Sequence, residues 1–471
     1  MVFSSIEFLF FFLPAVLVLY YLVPKGGKNW VLLLASLLFY AWGAPDFIFI
    51  FIASMLGNFF ITRWMHNTSK PKRKKTLLTF SIILNLGILA YFKYMNFFLD
   101  NINLLLNLTN HNLISFTRIA LPIGISFFTF QSLTYTVDVY RGVSKPLDKW
   151  NDYMLYIALF PQLIAGPIIR YNTIAKQLVH RDITLEDRVM GFYRFAIGLG
   201  KKVLIANTVA IVADEIFAMD YDLMSSSTAW IGILAYTFQI YFDFSGYSDM
   251  AIGLGRMLGF RFTENFNAPY ISRSITEFWR RWHITLGAFM KEYLYIPLGG
   301  NRVSKARLYF NLGFVFLISG LWHGSSWNFV LWGAFHGAFL IMDRAFLLRI
   351  TERIGKLPAM MLTFFVVALG WVIFRVESLT PALHFYRALF AFRSGTHIDL
   401  STHFIVLFLI AALFAFLPAF PLGNKLLNTV FAEHYSRRTT FVMLAIVLIL
   451  FILSAGALCV SNFNPFIYFR F

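Results

Sequence analysis

The sequence runs to 471 residues, 59% of them hydrophobic, 19% aromatic and only 13% charged, with a formal charge of +17 and a mean hydropathy of +0.67. Soluble domains carry roughly 25% charged residues, so this balance excludes a soluble globular class. The positive excess reads as basic loops meeting anionic lipid headgroups rather than as nucleic-acid binding, and the single cysteine, Cys459, excludes an internal disulfide or a cysteine-built metal site.

A hydrocarbon core ~30 Å thick takes ~20 apolar residues per helix, and such runs recur from residue 7 to residue 460 with only short polar breaks. The first, "FLFFFLPAVLVLYYLV" (8–23), follows Glu7 with no basic residue before it and reads as a retained span, not a cleaved signal. Further spans fall near 29–43, 46–64, 76–98, 117–138, 153–169, 203–218, 228–242, 247–260, 308–322, 326–342, 359–376, 402–421 and 439–460, several of them short or interrupted. The expectation is an all-α polytopic membrane protein forming a single domain over 1–471, with about eleven transmembrane helices plus re-entrant and interfacial pieces. No internal repeat supports a transporter built from inverted halves.

Charge sets the expected orientation. "RWMHNTSKPKRKK" (63–75) holds six Lys or Arg and no acid, which places it in the cytoplasm and the N-terminus outside after three crossings. Arg141, Lys145 and Lys149 follow on the cytoplasmic side, Arg437 and Arg438 start the last span there, and the C-terminus falls outside as well. Two stretches break the pattern of plain spans. "ALFPQLIAGPIIRY" (158–171) carries two prolines and a glycine, as a re-entrant loop would, and "PYISRSITEFWRRWHITLGAFMKEYLYIPLGGNR" (269–302) mixes charges with Trp and Tyr as interfacial amphipathic helices do.

Polar residues at bilayer depth mark functional sites by default. In "QIYFDFSGYSDMAIG" (239–253), Asp243 and Asp249 either orient a buried base, bind a cation, or cap a helix starting near Ser248. In "TEFWRRWHIT" (276–285), His283 follows Trp279 by four positions on one helical face, and Glu277 reaches Arg280 or Arg281. In "GLWHGSSWNFVLWGAFHG" (320–337), His323 sits at the end of a span beside Trp322 and Gly324, while His336 reads as structural. Each histidine is either a packed ring bonded to a carbonyl or a proton acceptor that burial keeps neutral. No H-x-x-x-H pair, P-loop or dinucleotide fingerprint appears, which disfavours metal and nucleotide-hydrolysis chemistry. The chain ends "NPFIYFRF" (464–471), either an aromatic anchor at the outer interface or a segment with a task of its own.

Together "SFFTFQSLTYTVDVYRG" (126–142), "FPQLIAGPIIRY" (160–171), "QIYFDFSGYSDMAIGLG" (239–255), "NFNAPYISRSITEFWRRWHITL" (265–286), "YLYIPLGGNR" (293–302) and "GLWHGSSWNFVLWGAFHG" (320–337) resemble the membrane-bound O-acyltransferase family, on its bacterial alginate O-acetyltransferase branch. The resemblance implies a fold with a central tunnel, N-terminal spans over 1–120, a catalytic core over 121–345, C-terminal spans over 346–460 and an extracytoplasmic aromatic tail over 461–471. It implies acetyl transfer from cytoplasmic acetyl-CoA, a donor substrate with no tightly bound cofactor and no metal. His323 takes the catalytic role with His283 as its helper, and Tyr468 in "FIYFRF" carries the acetyl group to an extracytoplasmic SGNH-type partner that O-acetylates a polysaccharide. Arg280, Arg281, Trp282, Trp322 and Asp243 form the implied substrate-binding set, with Lys201 and Lys202 as further contacts for the donor's phosphates. An alginate-like exopolysaccharide is the first acceptor to consider. Peptidoglycan or cellulose O-acetylation and D-alanyl transfer to teichoic acid use similar proteins, and a proton-coupled transporter is the rival from another class. The implied location is the bacterial inner membrane.

Overall fold

The computed structural model describes residues 2–432, 434–461 and 463–467. Among them the regular secondary structure is helical, and the one β-contact is an isolated bridge between Met224 and Thr396. Seven helical stretches are long and apolar enough to cross a membrane: Pro45–Asn67, Pro71–Leu108, Leu185–Phe217, Trp327–Arg353, Lys356–Arg375, Thr402–Ala419 and Arg437–Val460. This is fewer than the eleven that hydropathy suggests. Other apolar runs are cut into shorter helices, such as Lys28–Gly43 and Trp150–Ala158, and the helix Ser226–Met257 carries Gln239, Asp243, Ser245, Ser248 and Asp249, all buried.

The helices fall into two compact units, residues 1–187 with 255–262 and residues 188–254 with 263–471. In the first, a buried polar ladder satisfies side chains that lipid would not. Asn58 and Asn85 exchange amide hydrogen bonds, Ser81 donates to Asn58 Oδ1, and Thr62 meets Thr136 at 3.0 Å. After the short helix Phe160–Leu163 the chain of this unit runs without helix through buried residues 164–169, with Gly166 at φ 103°. Irregular backbone survives at such depth only where protein surrounds it.

The second unit holds a tight helical hairpin, α1 (Lys305–His323) and α2 (Trp327–Met342). Small residues set their approach. A Cβ on Gly320 would strike the Phe329 carbonyl oxygen and come within 3.1 Å of the Gly333 Cα. Against the hairpin packs α3 (Lys356–Arg375), where Gly370 leaves room for the ring of His336: a Cβ there would lie 2.8 Å from the imidazole Nε2.

Candidate active site

α1 ends at His323, whose backbone is released by extended Gly324, so the imidazole stands at the mouth of the hairpin turn. The ring is 3% exposed and aromatic rings close around it: Trp322 at 4.9 Å, Trp332 of α2 edge-on at 5.0 Å, and Phe374 of α3 at 5.5 Å. Such a box desolvates the imidazole and holds its plane.

His283 reaches the same neighbourhood by another route. Ser274 caps the helix Ile275–Arg281 by accepting from the Glu277 N–H, while the Glu277 carboxylate accepts from the Arg273 N–H and from Arg281. That helix stops before Trp282, and His283 itself adopts φ 46°, ψ 53°. Trp279 and His283 therefore do not share one helical face. A left-handed residue other than glycine costs of order 1–3 kcal/mol and persists only where its surroundings enforce it. Here the enforcement comes from Asn265, which is fully buried. Its carbonyl accepts the Ile284 N–H, its Oδ1 accepts the Thr285 hydroxyl at 2.9 Å, and the same Oδ1 lies 3.0 Å from His283 Nδ1. An acceptor at that position puts the proton on Nδ1, making Nε2 the lone-pair nitrogen. Burial pushes the imidazole down to about 3, so His283 is neutral near pH 7. Trp322 links the two histidines, its indole 6.0 Å from His283 and 4.9 Å from His323.

The other residues singled out by sequence are placed unevenly. Trp282 is buried and joins Trp371, Phe266 and Phe278 in the aromatic core. Arg281 is committed to Glu277 and to the Asn267 carbonyl, whereas Arg280 is exposed. Asp243 sits in mid-helix, as does Ser248, so no helix start lies there for either to cap. Instead Asp243 pairs with Lys202 at 2.7 Å, both side chains 2% exposed. Lys202 is thus committed to Asp243, and Lys201 is paired with Asp249 at 2.6 Å beside Arg194. Tyr468 lies outside the described residues. His336 is enclosed by Trp279, Trp332 and Phe335, in keeping with a structural role. Among the described residues no three His, Cys, Asp or Glu side chains converge as metal ligands.

Two contributors, Asn265 and Phe374, escaped sequence reasoning, and a third, Lys202, is read there only as a phosphate contact. Asn265 sets its amide oxygen on His283 Nδ1, and hydropathy does not distinguish it from Asn267 two residues on. Lys202 lies in the π-helical turn Lys201–Ala206, a local widening frequent at functional sites but invisible in hydropathy. Phe374 borders both His323 and a cavity of about 30 Å³ lined also by Asp214, Tyr236, Gln239 and Arg375, together with Pro465–Ile467 of the terminal segment.

In this multi-pass helical membrane protein two buried imidazoles, His283 held neutral by burial, lie in the same unit as residues 463–467. The chain belongs to the membrane-bound O-acyltransferase family, whose profile matches residues 74–355, and is an O-acyltransferase. It is 46% identical over 402 residues to a probable alginate O-acetylase of Azotobacter vinelandii, covering 85% of this chain and 80% of that one. A probable alginate O-acetylase of Pseudomonas putida aligns over the full length of both chains at 41%. A peptidoglycan O-acetyltransferase of Helicobacter pylori is 38% identical, covering 81% of this chain and 78% of its own.

Proposed function

We propose that the protein takes acetyl from cytoplasmic acetyl-CoA and delivers it to the outer face of the inner membrane, where an SGNH-type partner O-acetylates a polysaccharide. The observation that carries this reading is that Phe374, which packs against His323, also lines a cavity with Pro465–Ile467 of the terminal segment. The chain continues from Ile467 directly into Tyr468, and a phenol with an ordinary pKa of ~10 needs a neighbouring base to attack a thioester.

His323 accepts the phenolic proton of Tyr468 as its oxygen attacks the thioester carbonyl. The C–S bond breaks, the new C–O bond holds the acetyl, and the imidazolium returns its proton to the departing CoA thiolate. His283, neutral and oriented by Asn265, supports the site through Trp322. Exposed Arg280 is the cation left to meet donor phosphates, Arg281 being tied to Glu277. Alginate is the acceptor favoured by the higher identity to alginate O-acetylases, and the relative that acts on peptidoglycan supports that polymer as a second reading.

Purified protein incubated with acetyl-labelled acetyl-CoA should yield a stable label on the terminal peptide, and Tyr468→Phe should remove it while leaving the protein folded. Label persisting in Tyr468→Phe would sink the relay.

A further inference from the structure

An ion pair buried in a membrane protein is costly and adds little stability beyond an apolar pair of the same size, so its retention asks for another task. Lys202 and Asp243 spend their bonding capacity on one segment. The Lys202 ammonium pairs with Asp243 Oδ1 at 2.7 Å and donates to Asn207 Oδ1 at 2.8 Å and to the Pro465 carbonyl. The second Asp243 oxygen accepts the Ile467 N–H at 2.9 Å. Asn207 extends the grip to the Phe463 carbonyl and to Asn464 Oδ1 at 3.3 Å, and the Phe466 ring stacks on Tyr247 at 4.6 Å. The contacts at Pro465 and Ile467 are to backbone atoms, one acceptor and one donor two residues apart, read by a cation and an anion in matching order.

We infer that Lys202 and Asp243 are positioning residues, a charged clasp that seats the backbone of residues 463–467 so that the residue after Ile467 is presented to the His323 site. The clasp deepens the relay reading and rests on it for its purpose, though not for its existence. Withdrawal of the segment would strand a lysine proton and a carboxylate oxygen in the interior, which is why the pair binds chain rather than water.

The test uses the full-length protein in detergent. Lys202→Met combined with Asp243→Leu removes both charges without leaving either unpaired, and Lys202→Arg keeps the cation. The double variant should lose its C-terminal residues to carboxypeptidase about tenfold faster than the parent and take up about a hundredfold less label from acetyl-CoA, a misplacement effect. Lys202→Arg should retain both behaviours. Unchanged trimming in a folded double variant overturns the clasp. Faster trimming with undiminished polymer acetylation upholds the clasp and overturns the relay. Because the double variant has a route to misfolding, an independent measurement uses Asn207→Cys with Asn464→Cys in a Cys459→Ser background. Oxidation should cross-link the two cysteines in the folded protein with labelling retained. Absence of the cross-link, or label lost on cross-linking and restored by reduction, overturns the inference.

Discussion

At the scale of single residues, the site separates two kinds of histidine by what surrounds them. His323 lies in an aromatic box with Phe374 bordering a cavity, so His323→Gln should lower acetyl transfer in membranes by about 10²- to 10⁴-fold, the range of a lost general base, with protein level unchanged. His336→Gln, striking a ring packed against Gly370, should reduce the amount of folded protein far more than the activity per molecule. His283 carries a pH signature. Its folded-state value, about 3, lies below the ordinary 6.5, so between those limits the unfolded chain binds a proton that the folded chain refuses. Stability is then full above about pH 6.5 and falls by about 1.4 kcal/mol per unit as pH drops through that window. Unfolding in detergent at pH 5 and pH 7 should show this fall, and His283→Gln should flatten it. The positions of His283 and His323 were legible because ionisable rings stand out in apolar sequence. Their partners were not: Asn265 is eighteen residues from His283 and becomes its neighbour only through a left-handed turn that no periodicity announces.

At the scale of helices, close approach depends on absent side chains. The α1–α2 crossing brings Gly320 and Gly333 together, and Gly333→Val would press a branched side chain onto the Phe316 backbone. Overpacking of that kind costs typically about 1–3 kcal/mol and should appear as a lower unfolding temperature in detergent, with loss of transfer because α1 delivers His323. Sequence reading located this hairpin, since two apolar runs flank "HGSS". Elsewhere the helix ends were not legible, because hydropathy sums over a window and does not register where a helix stops. Residues 8–23 form a π-turn followed by a ten-residue helix, and the polar content of Ser226–Met257 is hidden within protein rather than placed in a loop. Of the readings open for Asp243, the helix cap fails for the same reason: its helix continues straight past Ser248.

At the scale of the molecule, the proposed direction of transfer requires both termini outside. In a Cys459→Ser background, Ser461→Cys should react with a membrane-impermeant maleimide in intact cells, and a cysteine replacing Lys72 should react only after the membrane is opened; the reverse pattern would contradict outward delivery. Composition alone made the membrane class readable, and the quoted motifs made the family readable, because both rest on local residue identity. What composition could not convey is that residues 463–467 fold back into the unit that holds His323, an arrangement set by two charges 41 positions apart in a chain poor in charge. That return has a kinetic consequence. Under the proposed relay, a carrier tethered beside residues 463–467 would meet the donor site at a fixed local concentration, of order millimolar for a short tether. Loading would then be first order, indifferent to dilution, and limited to one acetyl equivalent per polypeptide before the outer acceptor must arrive.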